Sequence, residues 1–339
     1  MPTIVLHQPG TFRLESAAMS PAPGPGEVRV RVQRVGVCGT DIHAYHGRQP
    51  FFSYPRVLGH ELGVEVVELG ADVSGLNIGE RCAVEPYLNC GQCIACRAGR
   101  TNCCASLRVL GVHIDGGMTD YLTLPARKLH PSAVLPLEQL ALVETLAIGS
   151  HAVERAAVQA GEWALVIGAG PIGLAALQFA KLAGAHTIAL DLNAERLALT
   201  QSMGLVDAIL QPNENTADAL QALTGADLPT LVFDATGNAR SMAQALSFVA
   251  PTGRLVFVGL VQGEVLIDDP LLHRREITLL ASRNALPRDF TAIIGHMEAG
   301  RIVVQPWITH RVGATHFPEQ FPAWLKPDAG LVKGVIRFE

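Results

Sequence analysis

Hydrophobic positions follow two different rhythms along this chain. Up to about residue 150 they come in short strand-like runs broken by Gly and Pro: 1–8 (MPTIVLHQ), 27–38 (EVRVRVQRVGVC), 64–69, 81–85 and 121–124. Such runs predict an irregular β-rich domain. From Gly161 the texture changes: WALVIG, a helical stretch over 174–184, HTIALD, another over 195–203, DAILQ, 217–223, TLVFDATG, 239–250 and RLVFVGL follow one another. Strands alternating with helical stretches predict an α/β unit, a doubly wound parallel sheet of the Rossmann kind covered by helices. The tail from 286 loses that rhythm, with Pro-rich turns expected around Pro306, Pro318 and Pro327 and a last strand-like run, LVKGVIRF. Because six strands complete a nucleotide-binding unit, the tail is expected to return to the first domain. The expected division is therefore 1–150, 151–285 and 286–339. PAPGPGE at 21–27 is a turn-rich connector, and no internal repeat is evident.

Composition narrows the class. The 339 residues are 49% hydrophobic and 17% charged, which excludes disorder and collagen-like repetition. At roughly 100–200 residues per domain, the length fits two cores. A net charge of −5 without a Lys/Arg cluster leaves no electrostatic footprint for nucleic acid or anionic lipid, so neither is an expected partner. No apolar stretch reaches the ~18 residues of a membrane span, and no basic region precedes a long apolar core at Met1. A cytoplasmic location is expected.

Cysteine usage points to metal. Five of the seven cysteines fall between 90 and 104, and none lies beyond 104. Disulfide scaffolds spread their cysteines, whereas metal sites bunch them. Cys90, Cys93, Cys96 and Cys104 in NCGQCIACRAGRTNCC have the two-residue spacings that wrap one ion, and four thiolates describe a closed structural zinc. Cys103 adjoins Cys104 and is either a free thiol or its replacement. Cys82 reads as core.

A dinucleotide loop stands between the first apolar run and the first helix of the alternating region. Gly168-x-Gly170-x-x-Gly173 permits the tight turn, the approach of a pyrophosphate and close helix–strand packing, respectively. Asp191 ends the next strand, where a carboxylate accepts both ribose hydroxyls and repels a 2′-phosphate, favouring NAD over NADP. Otherwise Asp191 caps the helix that follows. Arg196 either stacks on adenine or is solvated, and its charge leaves some room for NADP.

Three further segments carry chemistry but are far apart in sequence: GVCGTDIH (Cys38, Thr40, Asp41, His43), VLGHELG (His60, Glu61) and LVETLAIG (Glu144). One thiolate, one imidazole and one carboxylate leave a vertex of tetrahedral zinc open. Spacing alone does not join them.

Resemblance does. CGTDxH, GHE, the four-cysteine lobe and GxGPxG occur in the order seen in the zinc-dependent medium-chain dehydrogenase/reductase family, and the chain resembles that family over essentially its whole length. Glu144, and Glu61 after His60, make it similar to the sorbitol, L-threonine and sugar-acid dehydrogenase branch. HGRQPFFSYPRVLGHE, LGVHIDGGMTDYL and SRNALPRDF resemble bacterial proteins of the L-galactonate/L-gulonate 5-dehydrogenase type. The resemblance implies a GroES-like catalytic domain beside the Rossmann unit, with the structural lobe at about 88–106. It implies Cys38 and His60 as catalytic zinc ligands, with Glu144 or Glu61 completing the shell. Thr40 would be a hydroxyl relay and His43 its outer end, while Asp41 would orient the loop or the ligand imidazole. It also implies cofactor contacts at Ile172, Val258, Gly259, Leu260, Ser282 and Arg283, and a homodimer or homotetramer.

The implied cofactors are NAD and two Zn2+ per chain, one catalytic and one structural. The implied reaction is oxidation of a secondary hydroxyl of a sugar acid or polyol: zinc lowers the pKa of the bound hydroxyl, Thr40 and His43 pass its proton outward, and hydride moves to nicotinamide. L-Threonine or a sorbitol/galactitol-type polyol is the alternative substrate. A non-catalytic nucleotide or redox sensor is the alternative class, and it would need only one metal. Arg48, His113 and Arg283 are candidate cations for a sugar-acid carboxylate, although Arg48 on a loop is also what a solvated arginine looks like. Phe51, Phe52 and Tyr54 either line a pocket or form an apolar flap. Two positions depart from the family pattern. Gly63 and Val64 stand where the family's Gly falls one place later, which puts local strand packing in question. Thr145 replaces a common Pro, with a small geometric change expected.

Overall fold

Alternation in the first rhythm becomes one-sided burial. Along strand Glu27–Val37, Val28, Val30 and Val32 are fully buried while the intervening arginines are half-buried, so one face of the strand packs on the core. The computed structural model describes residues 1–49 and 52–339. Strand Glu27–Val37 pairs antiparallel with Glu61–Leu69, with Tyr121–Pro125 and, at its carboxyl end, with Lys333–Arg337. Its sheet continues through Arg81–Val84 to Leu129–Pro131 on one side and to Ile308–Gly313 on the other. The strand ends one residue earlier than the apolar run. Cys38 is extended and begins helix Gly39–Tyr45 instead, because Asp41 accepts the Cys38 backbone N–H at 2.9 Å and closes the first turn.

Among the described residues, the second rhythm forms a six-stranded, all-parallel sheet. Its order is Ala208–Leu210, His186–Leu190, Trp163–Ile167, Leu231–Asp234, Arg254–Phe257, Thr278–Ala281. This is the strand order of a Rossmann unit, reversing direction at the strand before the glycine loop. Leu165, Ile188, Val232 and Leu255 are buried completely within it. The sixth strand is the least buried of the six, although Leu279, Leu280 and Ala281 are apolar.

The chain divides into a unit of Met1–Thr145 with Leu286–Glu339 and a unit of Leu146–Ala285. The first division falls between Thr145 and Leu146, inside helix Val143–Ala156, which also contains residue 150.

The tail differs from its turn-rich reading. Pro287–Glu298 is a helix whose buried Phe290, Ile293, Ile294 and Met297 mark one apolar stripe. Pro306 and Pro318 sit in the first turns of short helical segments, Gln305–Trp307 and Phe317–Trp324, where proline's missing N–H has no intrahelical partner to lose. The helix expected over 239–250 ends at Ala245 and tightens into a 3-10 turn, Leu246–Phe248. Among the described residues no helix is long and apolar enough to cross a membrane.

The displaced glycine after GHE has a local cause. A Cβ on Gly63 would lie 2.2 Å from the Leu137 carbonyl oxygen, because helix Leu137–Ala141 packs directly on that strand residue. Val64 turns its side chain into the core. Gly63→Ala should therefore destabilise the fold by about 1–3 kcal/mol, seen as a lower denaturant midpoint at unchanged slope; an unshifted midpoint would mean that the helix yields freely.

Candidate functional site

Two groups of metal-ligating side chains form within the unit that holds Met1–Thr145. Cys90, Cys93, Cys96 and Cys104 bring their sulfurs within 4.8 Å of one another. Tetrahedral zinc with bonds of about 2.3 Å needs sulfurs about 3.8 Å apart, so the group fits that ion. The loop feeds the sulfurs hydrogen bonds: Cys90 N–H to Cys104 Sγ at 3.3 Å, Ala105 N–H to Cys93 Sγ at 3.4 Å, and Asn89 Nδ2 to Cys96 Sγ at 3.7 Å. Backbone donors, Ala105 first, pull the Cys93 thiol down to about 6, and the Cys90 thiol also falls. A thiolate set is what a closed zinc site uses. Cys103 is exposed and outside the group, and Cys82 is buried core, with burial holding its thiol up at about 12.

The second group joins residues distant in sequence. Ligand atoms of Cys38, His60 and Glu61 lie within 4.8 Å of one another. Register explains the meeting of the last with the strand that carries the first: Gly36 faces Glu61 across the sheet, and a Cβ at Gly36 would stand 2.0 Å from Glu61 Oε2. Glycine there makes room for the carboxylate. Both Glu61 oxygens accept from Lys333 Nζ, at 2.6 and 2.8 Å, and all three partners of this arrangement, His60, Glu61 and Lys333, are buried. Burial opposes ionisation of Glu61, but the Lys333 ammonium prevails and lowers its pKa; burial likewise opposes Lys333, and Glu61 and Cys38 raise it. His60 is raised well above the ordinary imidazole value, burial opposing and the Cys38 and Asp41 charges prevailing.

Glu144 stands in the first turn of helix Val143–Ala156, buried, and accepts a hydrogen bond from the hydroxyl of Tyr87, itself 2% exposed. Burial raises its carboxyl. Glu144 lies outside the three-residue ligand group, although its charge acts on His60. Asp41 comes within 3.9 Å of His60 Nδ1, beyond hydrogen-bond length, so its direct work is to close the helix start rather than to grip the imidazole. Thr40 is half-buried in the first turn of helix Gly39–Tyr45 and His43 is exposed in its last; partial desolvation, then Arg48 and His46, lower His43. Thr145 is fully buried against Glu61 and adds to its ionised state.

The nucleotide loop has the geometry its glycines imply. Gly168 has φ +92°, a Cβ on Gly173 would be 1.7 Å from the Gly168 carbonyl oxygen, and space at Gly170 is open until the Arg196 guanidinium 3.8 Å away. Helix Pro171–Leu182 begins at Gly170 without a side-chain cap, leaving its first N–H groups for an anion. Ile172 is in that first turn. Asp191 accepts from Ala169 N–H at 2.6 Å and Asn193 N–H at 2.7 Å, tying the end of one strand to the loop of another. The cap of the following helix is Asn193, which accepts from the backbone of Glu195 and Arg196. Gly259 packs on Gly237, where its Cβ would meet a backbone nitrogen at 2.3 Å; Val258 is half-buried and Leu260 exposed. Ser282 and exposed Arg283 follow the sixth strand.

Of the substrate candidates, Arg48 is exposed just after helix Gly39–Tyr45, and His113 Nδ1 accepts Val109 N–H at 3.1 Å, which commits that nitrogen to the lobe. Phe51 lies outside the described residues. Phe52 and Tyr54 pack edge to face at 5.1 Å against the core, with Tyr54 donating to Ala44 O, so they serve packing. Sequence reasoning missed Lys333 and Tyr87. A lysine inside the apolar run of LVKGVIRF was the available signal for the first; an aromatic residue in EPYLNC carries none.

Residues 24–136 match the alcohol dehydrogenase GroES-like domain, and residues 171–299 match the zinc-binding dehydrogenase domain. L-Galactonate-5-dehydrogenase of Escherichia coli (strain K12) is 43% identical over 322 residues, 94% of each chain. The chain belongs to the zinc-binding dehydrogenase family. An alcohol dehydrogenase from Escherichia coli CFT073, crystallised with NADH, superposes with a TM-score of 0.92 at 28% identity, covering 100% of this chain and 99% of that one. A Sinorhizobium meliloti 1021 protein described as a zinc-binding dehydrogenase and bound to NADP gives 0.90 at 29% identity, covering 99% of each. The enzyme is thus a dehydrogenase with a GroES-like domain and a Rossmann unit.

Two outcomes check the site. Lys333→Met leaves the Glu61 carboxylate buried without its cation, and unfolding free energy should fall by about 3–5 kcal/mol; equal stability would remove the pair from the core's charge balance. Cys93→Ser should lower the zinc content from two ions per chain to one and lower the thermal midpoint. Retention of both ions at an unchanged midpoint contradicts the structural-zinc assignment.

Proposed function

We propose that this dehydrogenase oxidises a secondary hydroxyl of a sugar acid or polyol, in the manner of an L-galactonate/L-gulonate 5-dehydrogenase, using NAD and two zinc ions per chain. The observation that carries the reading is the convergence of Cys38 and His60 with buried carboxylates in a chain akin to L-galactonate-5-dehydrogenase. Cys38 and His60, with Glu61 or Glu144, would hold the catalytic ion, which when bound supplies a Lewis acid that acidifies a hydroxyl. The four-thiol group would hold the structural ion.

This chain's own residues have separate tasks. Thr40, two residues beyond Cys38, would accept the hydroxyl proton at its Oγ1 while giving up its own hydroxyl proton, which passes outward to the His43 ring and from there to water. Exposure suits His43 to that exit, and its lowered pKa leaves it neutral and able to accept near pH 7. Gly168, Gly170 and Gly173 hold the cofactor's phosphates at the helix start, while hydride acceptance is the nicotinamide's own chemistry. Asp191 is held rigid by two backbone donors and keeps lone pairs for ribose hydroxyls, which favours NAD. Arg196 beside Gly170 makes the rejection of NADP incomplete. Ile172, Val258, Gly259, Leu260, Ser282 and Arg283 complete the cofactor site, and Arg48 and Arg283 are the cations for a substrate carboxylate; His113, whose Nδ1 accepts the Val109 N–H, is a neutral ring that offers an N–H donor instead of the expected charge. The reading includes a catalytic domain of 1–150 with the tail 286–339, a nucleotide domain of 151–285, a homodimer or homotetramer, and a cytoplasmic setting.

The test is NADH formation at 340 nm with L-galactonate, L-gulonate, sorbitol, galactitol and L-threonine, each with NAD and with NADP. Turnover with an aldonate exceeding that with threonine by at least about tenfold in kcat/KM is expected, equivalent to about 1.4 kcal/mol of transition-state preference. Threonine as the best substrate overturns the sugar-acid reading; no turnover with any of them, together with one zinc per chain, favours a sensor.

A further inference from the structure

Two of the three buried carboxylates near His60, Glu61 and Glu144, each have a side-chain donor from a distant part of the chain, and the donors act differently. Lys333 engages both oxygens of Glu61 and leaves Glu61 inside the ligand group with Cys38 and His60. Tyr87 engages one oxygen of Glu144, and Glu144 stands outside that group. We propose that Tyr87 is a positioning residue whose hydroxyl holds Glu144 in reserve, off the metal centre, so that a coordination vertex stays free for substrate.

Several features make the hydroxyl a restraint rather than an incidental contact. Tyr87 and Glu144 are 57 positions apart and both buried, so water does not compete for either group. The Tyr87 ring is fixed at its edge by Phe290, with centroids 6.2 Å apart, and its strand, Tyr87–Leu88, is fastened to Arg108–Val109. Glu144 is anchored at its other end in helix Val143–Ala156. A carboxylate with one oxygen committed to a phenol is a weaker ligand than a free one, because the donated proton draws on the lone pairs that coordination needs. Glu61 is already neutralised by an ammonium. Glu144 is therefore the carboxylate whose release would most readily fill the remaining vertex.

The proposal rests on the metal-dependent dehydrogenase reading and concerns one hydroxyl, so Tyr87→Phe tests it while retaining the ring against Phe290. Catalytic-site zinc is exchanged for Co2+ in the full-length enzyme, the visible d–d spectrum is recorded, and metal release to a chelator is timed. In Tyr87→Phe the freed Glu144 is expected to join the ion: the cobalt spectrum shifts, release slows by about tenfold, and kcat falls. The double variant Tyr87→Phe/Glu144→Gln should lose the slowing. Unchanged spectrum and release rate, or faster release, overturns the proposal, since a merely structural or ligand-supporting tyrosine gives those results. A wild-type enzyme that takes up one metal per chain instead of two overturns the metal-centre reading itself, and the proposal with it.

Discussion

A carboxylate with almost no access to water, placed beside a buried imidazole, requires a fixed counter-charge, and Lys333 meets that requirement for Glu61. Without the ammonium, Glu61 would take up a proton or repel the Cys38 thiolate and Glu144; with it, Glu61 is ionised and Lys333 is held charged in the same interior. The surrounding backbone is arranged for this contact. Gly36 supplies the space for the carboxylate, and Lys333 Nζ also reaches the Val37 carbonyl at 3.3 Å, the residue before Cys38. One ion pair thereby fixes the ends of two strands at the point from which Cys38 leaves the sheet.

Sheet pairing and site geometry are consequently one problem. Strand Glu27–Val37 has Glu61–Leu69 on one side and Lys333–Arg337 on the other, so its carboxyl end receives the acid from one neighbour and the base from the other. Asp41 then turns the chain from strand to helix within three residues, which carries Thr40 and His43 away from Cys38 on a rigid element. The glycine loop uses the same economy of space: Gly173 lets the helix close on Gly168, and Asp191 is pinned to Ala169 N–H, so a turn and an acid from successive strands are held in one frame.

What could be read from the sequence follows from how local each feature is. The four cysteines, the glycine turn and the apolar strands of the parallel sheet are short-range patterns, and the structure forms each near its expected bounds. Cys38 and His60 could not be joined by spacing, and only family resemblance brought them together before their atoms did. Tyr87 carried no local signal and Lys333 only a lysine in an apolar run, because their meaning lies in partners 57 and 272 positions away. The tail misled for a different reason: Pro306 and Pro318 are turn signals in isolation, yet each opens a helical segment, and the apolar stripe of Pro287–Glu298 is short enough to be overlooked beside them.

The insertion of residues 146–285 between the two parts of the other unit has a consequence for biosynthesis. A nascent chain can assemble the parallel sheet once residue 281 has left the ribosome, whereas Glu61 has no ammonium to meet until Lys333 has emerged. Translation order thus makes a stretch synthesised after the parallel sheet the one that completes a pocket begun before it. Emergence of Lys333, rather than of the amino-terminal half, is the event that sets when that pocket acquires its charge balance.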